Sequence, residues 1–141
     1  MILYCDTSAF LKLFVDEEGS DWMIKARDAC QSIAVCRITW AESMAAFAQR
    51  SRFKGANKAA LDQSRTALQQ AWHGFAIVDI SQLIVEQAGV YAEAFALWGY
   101  DSVQLAAAHN LQEQVSLPLT FACFDRRLNQ AAQLLRLEVL S

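Results

Sequence analysis

The chain begins with MILYCDTSAF (residues 1–10), in which a short apolar run is followed at once by an aspartate. Residues 2–5 have the composition of a buried strand, and Asp6 stands where that strand would end. A carboxylate at the edge of an apolar core costs free energy unless a partner compensates for its charge. Asp6 therefore raises two questions: what it binds, and which other residues share its site.

Four further apolar runs resemble the first, and helical patterns separate them. We predict strands at residues 2–5, 33–36, 76–78, 119–123 and 137–140. We predict helices at residues 7–15, 20–30, 39–53, 56–73, 81–97, 101–113 and 125–135. Short apolar strands that alternate with helices favour an α/β fold, with a parallel sheet of about five strands sandwiched by helices. The helices at residues 39–53 and 56–73, with no strand between them, predict a helical hairpin that projects from the sheet.

Length and composition indicate one domain over residues 1–141. No apolar run reaches the ~18 residues of a membrane span, and the N-terminus does not resemble a signal peptide, so we expect a cytoplasmic protein. The formal net charge of −3 means that a nucleic-acid partner would need a local basic patch or metal ions. The four cysteines lack CxxC spacing and a nearby histidine, so we expect reduced structural thiols.

Four of the fifteen acidic residues do not fit an exposed polar face: Asp6, Glu42, Asp101 and Asp125. The carboxyl ends of parallel strands share one edge of a sheet, and all four are placed to converge on a crevice there. Carboxylates crowded together repel one another unless a cation neutralises them. A cluster of oxygen ligands without histidine or cysteine suits Mg²⁺ or Mn²⁺. The acidic pattern by itself supports a divalent-metal site.

Helix capping is the competing explanation for three of these acids. Asp6, Asp101 and Asp125 each precede or begin a predicted helix, where aspartate caps the backbone and complements the helix dipole. Glu42 lies in AESMAAF, among small and apolar residues typical of a helix that faces the core. Asp79 also follows a strand, but Ser81 and a polar surface helix favour capping there, so it serves as a comparison outside the site.

Four segments, in this order, closely resemble a PIN-domain protein of the VapC toxin type, and the resemblance covers essentially the whole chain. They are MILYCDTSAFLKLFVDEEGS, TWAESMAAFAQR, WGYDSVQLAAAHN and FACFDRRLNQAAQLLRLEVL. The resemblance implies a PIN-like fold and a metal-dependent endoribonuclease, the toxin of a toxin–antitoxin pair. It also implies a cognate antitoxin protein and commonly a homodimer.

Position by position, the resemblance assigns the catalytic acids and ligands of Mg²⁺ or Mn²⁺ to Asp6, Glu42, Asp101 and Asp125. Thr7 and Ser8 match small hydroxyl residues, one of which would orient a carboxylate or a metal-bound water. The chain departs from many relatives at Cys123, where a threonine or serine is common. The expected reaction is in-line hydrolysis of an RNA phosphodiester by metal-activated water, which needs no catalytic histidine. The resemblance suggests 5′-phosphate and 3′-hydroxyl product ends.

An RNA backbone also needs cations near the acids, and arginine suits phosphate because its planar donors engage two oxygens at once. The candidates are Arg37, Arg50, Arg52, Arg126 and Arg127. We interpret His73 and His109 as structural or solvated. Most aromatic residues have the helical spacing of core side chains. Candidates for a groove that binds an antitoxin segment or a second copy of the chain are Phe14, Trp22 and Phe47.

Three other functions are compatible with acids at this edge of a sheet. A haloacid-dehalogenase-like phosphatase would need a second aspartate two residues after Asp6, where Ser8 stands. A receiver-type signalling domain would need a lysine after a late strand, and none follows residues 119–123. A catalytically inactive PIN-like module that binds RNA or protein is the non-enzyme alternative, and the presence of all four acids argues against it.

Overall fold

Five parallel strands form one sheet at the centre of the molecule. The computed structural model describes residues 1–141, and its strands are β1 (Ile2–Cys5), β2 (Ser32–Cys36), β3 (Ala76–Val78), β4 (Leu119–Ala122) and β5 (Glu138–Val139). Their spatial order is β3-β2-β1-β4-β5. The chain therefore builds outward from β1 on one side, then crosses to build the other side. Such a switch point opens a crevice at the carboxyl ends of the strands.

Seven α-helices cover the two faces of this sheet, so the predicted fold class is confirmed. They are α1 (Thr7–Leu11), α2 (Ser20–Ala29), α3 (Ile38–Ser51), α4 (Lys58–Ala71), α5 (Gln82–Phe95), α6 (Gly99–Gln114) and α7 (Arg126–Leu134), with a 3₁₀ turn at Trp72–Gly74. No helix is long and apolar enough to cross a membrane.

The first helix is shorter than predicted. The pattern indicated a helix at residues 7–15, but α1 ends at Leu11. After that point the backbone N–H groups of Lys12, Leu13 and Phe14 each donate to the carbonyl three residues earlier. These tighter turns replace the α-helical ladder, and they lead the chain away from the sheet edge toward α2.

The strands separate two apolar cores, and the side chains of β1 alternate between them. Ile2 and Tyr4 face the core formed with α5, α6 and α7, whereas Leu3 and Cys5 face the core formed with α1, α2, α3 and α4. This period of two is the geometry of a strand buried on both faces. All four cysteines are free thiols, as expected.

The predicted hairpin consists of α3 and α4, and residues 52–55 at its tip are exposed. Phe47 of α3 and Leu68 of α4 are fully buried in the core on that face. Phe47 was expected on a groove surface, and that prediction is wrong. Phe14 is half-buried and packs against Phe10 and Phe75, with ring centroids 5.2 and 6.4 Å away. Of the three groove candidates, only Trp22 is classed as exposed.

Candidate active site

The four predicted acids line one cleft of about 350 Å³ at the carboxyl edge of the sheet. Asp6 follows β1, Glu42 lies in α3, Asp101 lies in the first turn of α6 and Asp125 follows β4. The rest of the lining comes from Thr7, Ser8, Tyr100, Gln104 and Phe124. The switch in strand order places these segments together, although they are far apart in the chain.

Asp6 is the most buried of the four acids, with 5% of its surface exposed. Its Oδ1 accepts hydrogen bonds from the Ala9 N–H at 2.9 Å and the Ser8 hydroxyl at 2.7 Å, so Asp6 also caps α1. The pKa of Asp6 is raised from 3.8 to about 7, chiefly by burial and in part by the negative charges of Asp101 and Glu42, while the two hydrogen bonds oppose the change. Asp6 thus holds a proton near neutral pH unless a cation replaces it.

Glu42 is held by a buried hydrogen-bond network that the sequence analysis did not predict. The Thr7 hydroxyl donates to Glu42 Oε1 at 2.8 Å, and Gln104 Nε2 donates to the same oxygen at 2.9 Å. The Tyr4 hydroxyl donates to Gln104 Oε1 at 2.8 Å, which turns the amide nitrogen toward Glu42. The same nitrogen lies 3.0 Å from Thr39 Oγ1. Thr7 and Ser8 therefore each orient one carboxylate.

A signal for Gln104 was present in the sequence. It is a polar residue one helical turn after Asp101, within the run QLAAA, and it is 2% exposed in the structure. A polar side chain on a helix face otherwise made of small apolar residues needs hydrogen-bond partners inside the protein. That requirement would have linked Gln104 to the acids of the cleft.

Capping accounts for Asp125 but not for Asp101. Asp125 accepts a hydrogen bond from the Leu128 N–H at 2.8 Å and caps α7. Asp101 lies inside the first turn of α6 and makes no capping hydrogen bond, because the helix begins after Trp98. Burial, together with the charges of Asp125 and Glu42, raises the pKa of Asp101 from 3.8 to about 6.

Cys123, the position at which the chain departs from the resemblance, makes two contacts with Asn129 of α7. Sγ lies 3.1 Å from Asn129 Oδ1, and Asn129 Nδ2 donates to the Cys123 carbonyl at 3.1 Å. Burial raises the pKa of the thiol far above its usual range, so it stays neutral. These contacts between Cys123 and Asn129 link the end of β4 to α7, near Asp125 in the chain.

No arginine or lysine neutralises the cleft. None of the four carboxylates forms an ion pair, whereas the comparison residue Asp79 is paired with Arg37. No group of three or more acidic, histidine or cysteine side chains is gathered closely enough to hold a metal ion by itself. The donor set nonetheless fits Mg²⁺, which is commonly bound by one or two carboxylates together with waters and substrate phosphates.

The five candidate arginines do not form one patch. Arg126 and Arg127, at the start of α7, line a groove that adjoins Asp101 and Asp125. Arg37 is engaged by Asp79, and Arg50 by Glu17 at 3.2 Å. Neither of them lines the cleft, and nor does Arg52, which is exposed at the end of α3.

The two histidines lie outside the cleft. His109 Nδ1 is 2.9 Å from the Tyr91 hydroxyl, between α5 and α6, and His73 is exposed in the middle of the 3₁₀ turn. Any chemistry in the cleft therefore depends on carboxylates and on what they bind.

Comparison with known proteins identifies similar chains. The family model described as PIN domain matches residues 3–134. Ribonuclease VapC45 of Mycobacterium tuberculosis (strain CDC 1551 / Oshkosh) is 30% identical over 131 residues, which cover 93% of this chain and 89% of that protein.

Two solved structures show the same fold at lower sequence identity. A toxin–antitoxin complex from Klebsiella pneumoniae has a TM-score of 0.63 at 22% identity, over 89% of this chain and 87% of that chain. Mycobacterium tuberculosis VapC20, a toxin that cleaves the sarcin–ricin loop, has a TM-score of 0.66 at 13% identity, over 92% of this chain and 94% of that chain.

Proposed function

This chain belongs to the PIN-domain family, and we propose that it is a metal-dependent endoribonuclease that acts as the toxin of a toxin–antitoxin pair. The observation that carries the proposal is the cleft itself, in which four carboxylates without ion-pair partners meet at the carboxyl edge of the sheet. Unneutralised acids destabilise a fold unless they serve a bound cation. The ribonuclease names of similar chains support the choice of RNA as substrate.

The cation would be Mg²⁺ or Mn²⁺, bound among Asp6, Glu42, Asp101 and Asp125, with water molecules and substrate phosphates supplying its remaining ligands. When bound, such an ion lowers the pKa of a water molecule and offsets negative charge on the reacting phosphate. The protein keeps two of these acids in place beforehand. Ser8 and the Ala9 N–H hold Asp6, while Thr7 and Gln104 hold Glu42. Because these two carboxylates are already held in position, the site reorganises less when a cation binds.

The protons on the acids link cation binding to pH. Asp6 and Asp101, with pKa values of about 7 and 6, must lose their protons before they can bind a cation as carboxylates. Binding therefore releases protons, and the affinity for the cation should increase as the pH rises through this range. The proposed products keep a 5′-phosphate and a 3′-hydroxyl.

Two protein partners complete the proposal. A cognate antitoxin is supported by the toxin–antitoxin complex of similar fold. A homodimer is supported by exposed apolar side chains on α5, among them Leu83 and Val90. The cytoplasm, which holds the RNA and keeps free thiols reduced, is the proposed location.

An RNA cleavage assay tests the proposal. Purified protein, freed of any bound partner, is incubated with tRNA, rRNA and mRNA in Mg²⁺, Mn²⁺ or EDTA. We expect cleavage only when the metal is present, and we expect Asp6→Asn to lower the cleavage rate by at least about 100-fold. Asp79→Asn is the matched control, because it removes a carboxylate that also follows a strand but pairs with Arg37 outside the cleft.

Two results would contradict the proposal. Cleavage in EDTA at an unchanged rate would remove the metal from the mechanism. Cyclic phosphate ends on the products would indicate attack by the ribose 2′-hydroxyl rather than by water. Analysis of both product ends therefore accompanies the rate measurements.

A further inference from the structure

A second depression opens directly from the acidic cleft. This groove has a volume of about 460 Å³ and is lined by Leu97, Trp98, Asp101, Asp125, Arg126 and Arg127. Asp101 and Asp125 belong to both the cleft and the groove. A ligand that reached the acids of the cleft would therefore extend into the groove without leaving the surface.

Trp98 presents an unusually free ring at the side of this groove. It is 70% exposed and makes no aromatic stacking or cation–π contact within the protein. Its backbone is nevertheless fixed, because its carbonyl accepts the Ser102 N–H and the Ser102 hydroxyl, each at 2.9 Å. A large apolar ring on an anchored backbone is available to a ligand at a small cost in conformational entropy.

The same groove is also lined by two cationic side chains, Arg126 and Arg127. Arg126 forms no ion pair, so its guanidinium is available for an anion. Arg127 Nη1 donates to the Ala96 carbonyl at 3.1 Å, which ties the start of α7 to the turn that carries Trp98. The backbone that carries the two arginines is therefore fixed relative to the backbone that carries Trp98.

We propose that Trp98 and Arg126 form a nucleotide subsite beside the acids, where an RNA base stacks on the indole ring and its phosphate binds the guanidinium. This inference rests on the proposed function, since it takes RNA as the ligand of the adjoining cleft. Base stacking on an exposed aromatic side chain and a cationic contact to the backbone are the two interactions that hold single-stranded nucleic acids on proteins. Tyr100, which is 53% exposed and lines the acidic cleft next to Asp101 in the chain, is placed for the neighbouring nucleotide.

The subsite can be tested one residue at a time, because Trp98 would contact the base of a nucleotide and Arg126 its phosphate. Binding is measured by fluorescence anisotropy in Mg²⁺ with two labelled single-stranded RNA probes in the Asp6→Asn background, which slows cleavage. One probe is a ten-nucleotide oligoadenylate, and the other is an abasic backbone of equal length and charge. We expect the oligoadenylate to bind more tightly, and Trp98→Ala to remove about 5- to 100-fold of its affinity with little effect on the abasic probe.

Three further variants separate stacking from other effects. Trp98→Phe keeps an aromatic ring and should restore most of the lost affinity. Arg126→Gln should weaken both probes alike and reduce the salt dependence of binding by about one phosphate contact. Phe53→Ala removes another exposed aromatic ring, at the hairpin tip, which lines neither the cleft nor the groove, and should change neither affinity.

The outcomes distinguish this inference from the proposed function. If the wild-type chain cuts RNA but Trp98→Ala binds both probes as tightly as its parent, the subsite is wrong and the ribonuclease stands. The subsite would also be wrong if Trp98→Ala kept its RNA affinity but lost binding to a protein partner. The groove would then be assigned to that partner. If the wild-type chain neither binds nor cuts any RNA, the proposed function itself fails.

Discussion

Replacing Asp6 by asparagine should stabilise the metal-free protein at alkaline pH while destroying its site. The substitution keeps the side-chain oxygen that accepts hydrogen bonds from Ser8 and the Ala9 N–H, so the cap of α1 is retained. It removes a buried negative charge that no ion pair compensates. Asp6 is thus expected to oppose folding increasingly as the pH rises, although the same carboxylate is what allows the site to bind a cation.

The size of the effect follows from the pKa of Asp6, which is raised from 3.8 to about 7 in the folded state. The folded state keeps its proton at pH values where the unfolded chain has lost it, so stability falls as the pH rises through this window. One pKa unit corresponds to about 1.4 kcal/mol. The folded wild type therefore carries a penalty of about 2 kcal/mol at pH 5 and about 4 kcal/mol at pH 8.

Urea unfolding in EDTA at pH 5 and pH 8 measures this difference. The stability of Asp6→Asn relative to the wild type should increase by about 2 to 3 kcal/mol between the two pH values. Any cost of burying the asparagine amide is the same at both and cancels. Asp79→Asn, the control, alters an exposed ion pair and should show no such pH dependence. An equal difference between wild type and Asp6→Asn at pH 5 and pH 8 would refute the reasoning.

Three other predictions concern the surroundings of the acids. Gln104→Leu removes the buried amide that donates to Glu42. It should lower the free energy of unfolding, measured in urea, by about 1 to 3 kcal/mol, and it should weaken Mn²⁺ binding measured by calorimetry. Gly19→Ala should lower the melting temperature more than Gly55→Ala, because both glycines have positive φ but only a Cβ at Gly19 would lie 2.7 Å from Phe124; equal losses would contradict the contact. The Mg²⁺ concentration needed for half-maximal cleavage should rise as the pH falls from 8 to 6, because protons compete for the acids, and a constant value would argue against this competition.

The sheet and the acids at its edge could be predicted because they depend on local patterns. Each strand is a short apolar run between helical segments, and each of Asp6 and Asp125 follows such a run directly. The rule that parallel strands end at one edge then brings these acids together with Glu42 and Asp101. No detailed contact is needed for that conclusion.

Other features depend on contacts that a linear pattern does not contain. Gln104 donates to Glu42 because the Tyr4 hydroxyl, from the other side of the Gln104 amide, fixes the orientation of that amide. Arg37 and Arg50 resembled free cations in the sequence, but residues from other segments pair with them. The early end of α1 likewise follows from how the chain turns toward α2.

The most direct test of the account is calorimetric titration of Mn²⁺ into the purified protein at pH 7.5. We predict binding by the wild type and by Asp79→Asn, with release of protons, and weak or absent binding by Asp6→Asn. Equal binding by all three proteins, or none by any of them, would contradict the claim that the carboxylates of the cleft form a cation site.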